Sequence, residues 1–284
     1  MGKKRGFAAA AVLLVLLLVS ATFLLGYFLG KGVTIFPSSQ QDATTAALFG
    51  ENYQEITASE SSQIITHGPR DNRKIALTFD AEMTDGMKAA LLSGKNKSSF
   101  DRRIIETLRQ TKTEATIFLT GMWIELYPGE THELSMDPLI ELGSHSYTDS
   151  SFEGYCYGLK KVPNDTSFVE EIGSTEKLLR KYADFDNKLF RFPGGCYSPH
   201  AVELVNQAND IVVHWDVNGF DGFNNSADNI TQNVVSKVQN GSIIILHLNG
   251  DPTAPKTAEA LPKIITTLKG KGFEFVKVSK LLGL

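Results

Sequence analysis

Beyond residue 73, short apolar runs alternate with segments whose apolar residues recur at helical spacing. Apolar runs of about four to eight residues predict buried strands, and a spacing of three and four residues predicts amphipathic helices. The predicted strands are 74–79, 115–119, 189–192, 211–217, 242–248 and 273–278. The predicted helices lie around 104–108, 168–182, 201–208, 228–238 and 257–269, and residues 138–142 have the pattern of a helix end that Gly143 stops.

This alternation predicts the fold class. Strands that are apolar on both faces are typical of a parallel sheet covered by helices, either a barrel or an open doubly wound sheet. Polar residues follow five different strands of the pattern, and in a barrel such strand ends meet at one mouth. These residues are Asp80, His145, Arg191, Asp216 and His247. The sequence therefore favours an α/β fold of the (β/α) barrel type over residues 74–284.

The first thirty residues have a different pattern. Basic residues at positions 3–5 precede residues 7–30, which carry no charge. A helix that spans a bilayer needs about 20 apolar residues, whereas the apolar core of a cleaved signal peptide has roughly 7–15. We therefore expect residues 1–30 to be a cytoplasmic flank and a single-pass transmembrane helix in the cell membrane, with the rest of the chain outside the cytoplasm. A cleaved signal peptide is the alternative.

Residues 31–73 connect this anchor to the predicted domain. They are rich in Ser, Thr, Gln and Ala and show little hydrophobic periodicity. Such a composition buries little apolar surface, so we expect a flexible stem.

Composition and charge narrow the class of partner. Hydrophobic residues make up 42% of the 284 residues, which is enough for a large core. The formal net charge of -4 gives no attraction to nucleic acid or to anionic lipid, so a neutral or cationic partner is expected. Nothing in the sequence indicates an oligomeric state.

The chain has two cysteines, Cys156 and Cys196. An exported domain would meet an oxidising compartment, in which one disulfide is allowed. Two buried free thiols are the alternative, and the sequence does not decide between them. Each cysteine follows closely on a candidate site motif, so we expect the two to lie near one another at the barrel mouth.

Several polar residues near strand ends could hold a cation. Asp80 and Glu82 lie one residue apart, so one carboxylate could bind a cation while the other acts as a base. His145 and Asp149 are four residues apart, a spacing that metal sites use on one helical face. Glu82, His145 and Asp149 together would make a three-ligand site with room for water.

Two further segments carry groups suited to catalysis. Arg191 precedes a stiff turn, Phe192-Pro193-Gly194-Gly195. A guanidinium can hold a carboxylate through two hydrogen bonds, and the glycine backbone can donate N–H groups to a developing oxyanion. His247 ends a strongly apolar strand, where barrel enzymes place catalytic residues, and the segment 215–221 adds two acids at another strand end.

In this order, these segments resemble the five motifs of the polysaccharide deacetylase family, also known as the NodB homology or carbohydrate esterase 4 family. The five segments are 78–82, 145–149, 191–195, 215–221 and 246–247. The family has a distorted (β/α)7 barrel and uses a divalent metal, typically Zn²⁺, to remove acetyl groups from polysaccharides. The resemblance covers residues 74–284.

The resemblance implies a role for each matching residue on one side of the site. Glu82, His145 and Asp149 would hold the metal. Asp80 would be the general base, oriented by Arg191.

On the other side, the resemblance implies the groups that act on the leaving amine and the oxyanion. His247 would be the general acid, held by Asp221. The N–H of Gly194 would bind the oxyanion, and Gly195 and Tyr197 would lie on the substrate side. The implied partner is an N-acetylated glycan.

Three positions depart from the family pattern. Glu82 stands in place of Asp, Asp149 in place of His, and Gly222 in place of a Trp that lines the groove in many relatives. A Glu/His/Asp set is more anionic, which favours Mn²⁺ or Mg²⁺, with Co²⁺ also compatible, over Zn²⁺. The extra negative charge also makes a bound water less acidic, which predicts weakened or altered activity.

The sequence therefore predicts a hydrolase of amide C–N bonds other than peptide bonds. Its reaction would remove N-acetyl groups from an extracellular polysaccharide such as peptidoglycan in the cell wall. One alternative is a catalytically impaired relative that binds glycan, which Asp149 favours. Another is a metal-free barrel glycosidase with two facing carboxylates, which would leave His145, Arg191 and His247 without a role.

Overall fold

The computed structural model describes residues 64–183 and 188–284. The strands in these residues are β1 (Ile64–Ile65), β2 (Lys74–Ala81), β3 (Ala115–Leu119), β4 (Ile140–Ser144), β5 (Leu189–Phe190), β6 (Ile211–Val213), β7 (Val217–Asn218), β8 (Ile243–His247) and β9 (Glu274–Phe275). The helices are α1 (Asp85–Leu92), α2 (Arg102–Thr111), α3 (Gly121–Leu126), α4 (Pro128–Ser135), α5 (Asp165–Ala183), α6 (Pro199–Gln207), α7 (Ala227–Val235), α8 (Thr257–Gly270) and α9 (Val278–Leu282). Short 3₁₀ turns, Pro193–Gly195 and Asp221–Phe223, follow β5 and β7.

The strands form one curled sheet in the order β1-β6-β5-β4-β3-β2-β8-β7, and β9 pairs with the start of β2. All pairs between these strands are parallel. The predicted α/β class is confirmed, and the predicted barrel takes the form of a curled half-barrel. The strand predicted over 211–217 is broken, because residues 214–216 leave β6 near one end of the sheet and enter β7 at the other.

Burial on both faces explains why the strands are apolar along their length. Every residue of β2 after Lys74 is buried, and β3 is buried throughout. On one side of the sheet, α8 packs against α7 and α2 and buries Leu261, Ile264 and Leu268. Each such side chain contributes about 1.5–3 kcal/mol relative to an exposed one, so the packing of these helices adds to the stability of the fold.

The helix end predicted at 138–142 is wrong. Residues Ile140–Ser144 form β4, which pairs with β3 along its length. Gly143 does not stop a helix there; a Cβ at this position would lie 2.5 Å from the ring of Phe118 on β3. The glycine therefore permits close packing inside the sheet, and a five-residue run was too short for periodicity to separate strand from helix.

The N-terminal predictions fall mostly outside the described residues. The predicted anchor at 1–30 and the stem up to residue 63 lie there. Within 64–183 and 188–284, no helix is both long and apolar enough to span a bilayer. β1 falls inside the predicted stem and pairs with β6, so the sheet begins before residue 74.

A buried acid, Asp210, lies next to a half-buried glutamate of α5, away from the strand ends that carry the candidate chemistry. Asp210, before β6, is 4% exposed, and Glu176 of α5 is its neighbour. Burial raises the pKa of Asp210 to about 9, and Glu176 adds to this effect. Asp210 therefore keeps its proton at neutral pH.

Candidate active site

Strand register brings four candidate side chains to one edge of the sheet. β2 and β8 pair with Asp80 directly opposite His247. β4 and β5 end directly before His145 and Arg191. Because the carboxyl ends of parallel strands meet at the same edge, these residues share one surface, as the barrel argument predicted.

Asp216, which we placed at the same edge, lies elsewhere. Its carboxylate accepts hydrogen bonds from the N–H of Ile243 (2.9 Å) and the hydroxyl of Ser242 (3.0 Å), and it pairs with Arg70 (2.7 Å). Ile243 begins β8, so Asp216 lies at the amino end of that strand. The prediction was wrong because Asp216 precedes β7 and does not follow a strand.

Glu82, His145 and Asp149 each offer one donor atom, and these atoms lie within 4.8 Å of one another. His145 is fully buried, and its Nδ1 contacts the carbonyl oxygen of Arg191 at 2.9 Å. A carbonyl only accepts, so Nδ1 carries the proton and Nε2 has a free lone pair. Nε2 lies 3.7 Å from Asp149 Oδ1 and 3.6 Å from Asp80 Oδ2.

Two buried atoms of this group, His145 Nε2 and Asp149 Oδ1, have no hydrogen-bond partner among the described residues. Burial lowers the pKa of His145, which keeps the ring neutral and the lone pair available. Burial, together with the charges of Glu82 and Asp80, raises the pKa of Asp149 well above its ordinary value. A divalent cation would satisfy both atoms and offset the excess negative charge, so the donor set fits a metal ion.

A buried ion pair holds Asp80. Arg191 Nη1 donates to Asp80 Oδ1 at 2.7 Å, and neither side chain is more than 3% exposed. Arg191 also donates to the hydroxyl of Thr78 (2.8 Å) and to the carbonyl oxygens of Val213 (3.2 Å) and His214 (3.3 Å). Burial lowers the pKa of Arg191, and the charge of Asp80 opposes this change. The arrangement leaves Asp80 Oδ2 directed towards His145, where it can accept a proton.

A second carboxylate orients His247. Asp221 Oδ1 accepts from His247 Nδ1, and Oδ2 accepts from its backbone N–H, both at 2.8 Å. Thr257 donates its hydroxyl to the same carboxylate at 2.5 Å. Burial opposes the charged imidazole, but Asp221 and Glu82 raise the pKa of His247 well above its ordinary value. Its Nε2 lies 3.3 Å from Glu82 Oε1, so a protonated ring can donate towards the ligand group.

The turn after Arg191 requires glycine at two positions. Gly194 and Gly195 have φ values of 61° and 69°, which L side chains rarely adopt. A Cβ on Gly194 would lie 2.5 Å from Cys156 Sγ, and one on Gly195 would lie 2.5 Å from the ring of Trp215. Cys156 and Cys196 form a disulfide beside this turn, with Cα atoms 6.1 Å apart. The expected proximity of the cysteines is confirmed, and the free-thiol alternative is wrong.

Tyr197 follows the same turn and packs on two neighbouring rings. Its ring centroid lies 5.4 Å from that of Phe192 and 5.7 Å from that of His214. These contacts give Tyr197 a packing function, and its contact with substrate stays a prediction.

Glu171, on α5, holds the loop that carries two of the donor atoms. Its carboxylate accepts from the N–H groups of Tyr147 and Thr148, both at 2.8 Å, and from the Thr148 hydroxyl at 2.5 Å. This loop separates His145 from Asp149, whose φ of 57° is left-handed. Sequence reasoning missed Glu171, because nothing in a charged amphipathic helix distinguishes one glutamate that faces a loop.

Asn249 fixes the backbone of Glu82 from the neighbouring strand end. Its side chain accepts from the Glu82 N–H at 3.0 Å and donates to the Glu82 carbonyl at 2.7 Å. Asn249 could have been identified from the sequence as a candidate site residue, since it lies just beyond His247 at the end of β8.

Similarity to known proteins agrees with this geometry. The sequence pattern of the family described as "Polysaccharide deacetylase" matches residues 67–210, about half of the chain. This chain belongs to the polysaccharide deacetylase family. The matched range contains the deacetylase motifs up to the glycine turn, and Asp221 and His247 lie beyond it.

Individual relatives support the same family and its cell-wall association. A peptidoglycan-N-acetylglucosamine deacetylase from Bacillus cereus is 30% identical over 209 residues, covering 74% of this chain and 68% of that protein. The solved Bc1960 peptidoglycan N-acetylglucosamine deacetylase matches with a TM-score of 0.66 at 26% identity, covering 78% and 92% of the two chains. A carbohydrate esterase 4 pseudoenzyme from Bacillus anthracis, BA3943, has a TM-score of 0.63 at 22% identity and covers 78% and 69%, which shows a shared fold.

Proposed function

We propose that this protein is a metal-dependent deacetylase that removes N-acetyl groups from an extracellular glycan such as peptidoglycan. One observation carries the proposal: a three-residue donor group lies between a buried carboxylate, Asp80, and a histidine, His247, that is held by a second buried carboxylate. The relatives named as peptidoglycan deacetylases support the choice of substrate.

Glu82, His145 and Asp149 would hold the cation. When bound, it would polarise the amide carbonyl and lower the pKa of water. The more anionic donor set favours Mn²⁺, Mg²⁺ or Co²⁺, although Zn²⁺ is typical of the family.

The remaining residues would move protons and stabilise charge. Asp80, fixed through Oδ1 by Arg191, would accept the proton of the attacking water at Oδ2. His247 would donate from Nε2 to the leaving amine nitrogen, while Asp221 stabilises the charged ring. Backbone N–H groups of the Gly194–Gly195 turn would donate to the oxygen on which negative charge develops.

A second candidate is a glycan-binding protein with impaired catalysis. The contact between Glu82 and His247 favours it, because a carboxylate paired with the acid at 3.3 Å competes for the proton that the leaving group needs. This contact would break if a cation drew Glu82 towards His145. Acetate release by the metal-loaded protein therefore separates the two candidates.

The test is acetate release from purified peptidoglycan and from N-acetylglucosamine oligomers. Protein stripped with a chelator is compared with protein reloaded with Zn²⁺, Co²⁺, Mn²⁺ or Mg²⁺. Release that depends on added metal and is absent in Asp80→Asn is the expected result. Metal binding by calorimetry without acetate release from any substrate would favour the impaired protein.

We also propose that residues 7–30 retain the protein in the cell membrane with the domain outside. The uncharged run and its basic flank support this topology. Cell fractionation and N-terminal sequencing test it. A mature N-terminus after residue 25 would exclude the anchor and leave export intact.

A further inference from the structure

Exposed aromatic side chains are concentrated in two loops. Among the described residues, the exposed aromatics are Tyr155 (90%), Tyr157 (67%), Phe220 (42%) and Phe223 (70%). The two tyrosines lie in the loop after β4, and the two phenylalanines follow β7. Both loops leave the carboxyl ends of strands, which is the edge that carries the candidate active site. The other large exposed apolar residues in the described chain, Leu92, Met136 and Leu284, lie outside these loops.

Tyr157 and Phe223 contact each other across the two loops. Their ring centroids are 5.5 Å apart with an interplanar angle of 49°. Both rings stay largely exposed, so the contact does not bury either of them in the core. The pair forms a small apolar surface that no other part of the described chain covers.

This aromatic pair lies beside the groups assigned to catalysis. A Cβ on Gly194 would be 3.3 Å from Tyr157 Cδ2, so the tyrosine ring lies against the proposed oxyanion turn. Phe223 directly follows Gly222, where a Cβ would lie 3.6 Å from Cε1 of His247. The Tyr157 ring therefore borders the site beside the oxyanion donors, and the Phe223 ring that contacts it is carried by the residue next to the one beside the acid.

The backbone segments that carry the two rings are constrained by a disulfide and by hydrogen bonds. Cys156, next to Tyr157, is bonded to Cys196 directly after the glycine turn. Asp221 and its partners hold the start of the 3₁₀ turn that ends at Phe223. Both rings are thus carried by constrained segments, which reduces the entropy lost when a ligand binds.

We propose that Tyr157 and Phe223 form a stacking platform for a pyranose ring of the glycan, next to the sugar whose N-acetyl group enters the site. This inference rests on the proposed function. The C–H faces of a pyranose ring are apolar and match an exposed aromatic ring in size. A protein partner would need a far larger interface, on the order of 1,200 Å² or more. Because the aromatic pair lies beside the site, its occupant is a neighbouring sugar of the glycan chain that enters the site.

The test uses acetate release by the metal-loaded protein, with Tyr157→Ala, Phe223→Ala and the double variant. On N-acetylglucosamine pentamer, each single variant should raise KM roughly 3- to 10-fold with little change in kcat. Tyr157→Phe and Phe223→Tyr should restore KM, because each keeps the ring. Met136→Ala removes an exposed apolar side chain elsewhere and serves as the matched control.

A small substrate distinguishes an effect of the variants on sugar binding at the platform from an effect on the catalytic groups. Hydrolysis of 4-nitrophenyl acetate, which has no second sugar, should be affected far less by these variants than hydrolysis of the pentamer. Equal losses on the ester and the pentamer would overturn the platform, as would an unchanged KM on the pentamer in the double variant.

If the wild-type protein releases no acetate, a measurement of glycan binding tests the proposal instead. The pentamer and purified peptidoglycan are then used as ligands for wild-type and double-variant protein. Weaker binding by the double variant supports the platform even when the proposed activity has failed. Equal binding by both proteins, or binding of neither ligand by the wild type, overturns it.

Discussion

Removing the Glu171 carboxylate should loosen the loop that positions two metal-ligand candidates. In the structure this one side chain accepts three hydrogen bonds from Tyr147 and Thr148. Glu171→Ala would leave two N–H groups without their acceptor, and the Thr148 hydroxyl would keep only its contact with Ser150. The loop would then sample conformations in which Asp149 turns away from His145.

The size of the effect follows from the three bonds. A hydrogen bond to a charged acceptor contributes about 1.5–3 kcal/mol. Glu171 is half-buried, so water would replace part of this sum, and we expect the free energy of unfolding to fall by about 2–4 kcal/mol. Substituting a residue that orients metal ligands typically lowers metal affinity about 10- to 100-fold, so the Kd for the cation should rise within that range.

Two measurements distinguish a local effect on the metal-ligand loop from a loss of overall stability. Calorimetric titration with Mn²⁺ or Zn²⁺ gives the metal Kd, and thermal unfolding of metal-free protein gives the stability. Glu171→Gln keeps an acceptor oxygen and should recover most of the metal affinity. Glu170→Ala removes the exposed neighbour on the same helix and is the matched control. A metal Kd for Glu171→Ala within twofold of wild type would refute the reasoning.

Further predictions concern the base, the ligands, the disulfide and a buried acid. Asp80→Asn should abolish acetate release while metal affinity, measured by calorimetry, stays largely intact, because the proposed base is not among the three ligands. Asp149→His should shift calorimetric preference towards Zn²⁺ and raise activity with zinc, since imidazole suits zinc better than a second carboxylate does. Replacing Cys156 and Cys196 by serine should lower the free energy of unfolding in denaturant by about 2–4 kcal/mol. Asp210 holds its proton up to about pH 9 when folded but releases it near its ordinary value of 3.8 when unfolded, so stability should fall as pH rises between these values. Asp210→Asn should remove that slope in thermal unfolding scans and raise Tm at pH 8; an unchanged slope would contradict the assignment.

The candidate catalytic residues at strand ends were predictable, because the sequence shows both the apolar run of a buried strand and the polar residue that ends it. A buried strand such as β2 is visible as an apolar run, and Asp80 directly at its end can be located without any contact information. His247 follows from the same argument on β8, and the register then places the two residues opposite each other. The same argument failed for Asp216, since an acidic residue before a strand and one after a strand look alike in a broken apolar run.

The details of contacts between distant segments were less predictable. The proximity of Cys156 and Cys196 followed from the motifs beside them, but whether they form a disulfide or stay as free thiols depended on loop paths that no local pattern determines. Glu171 acts on a loop through the packing of α5, and its neighbours in the sequence are equally charged. Gly143 was taken for a helix stop, because glycine serves both to end helices and to admit a neighbouring ring.

The position of Arg191 has a consequence for the whole half-barrel. Its guanidinium joins side chains on β2 to the backbone carbonyls of Val213 and His214, at the end of β6 where the chain crosses towards β7. In the strand order, β5, β4 and β3 lie between β6 and β2, so Arg191 connects two strands that do not pair with each other. Arg191 therefore links distant parts of the curled sheet and also supports Asp80. Substituting Arg191 should change the relative position of β2 and β6 together with the proposed chemistry.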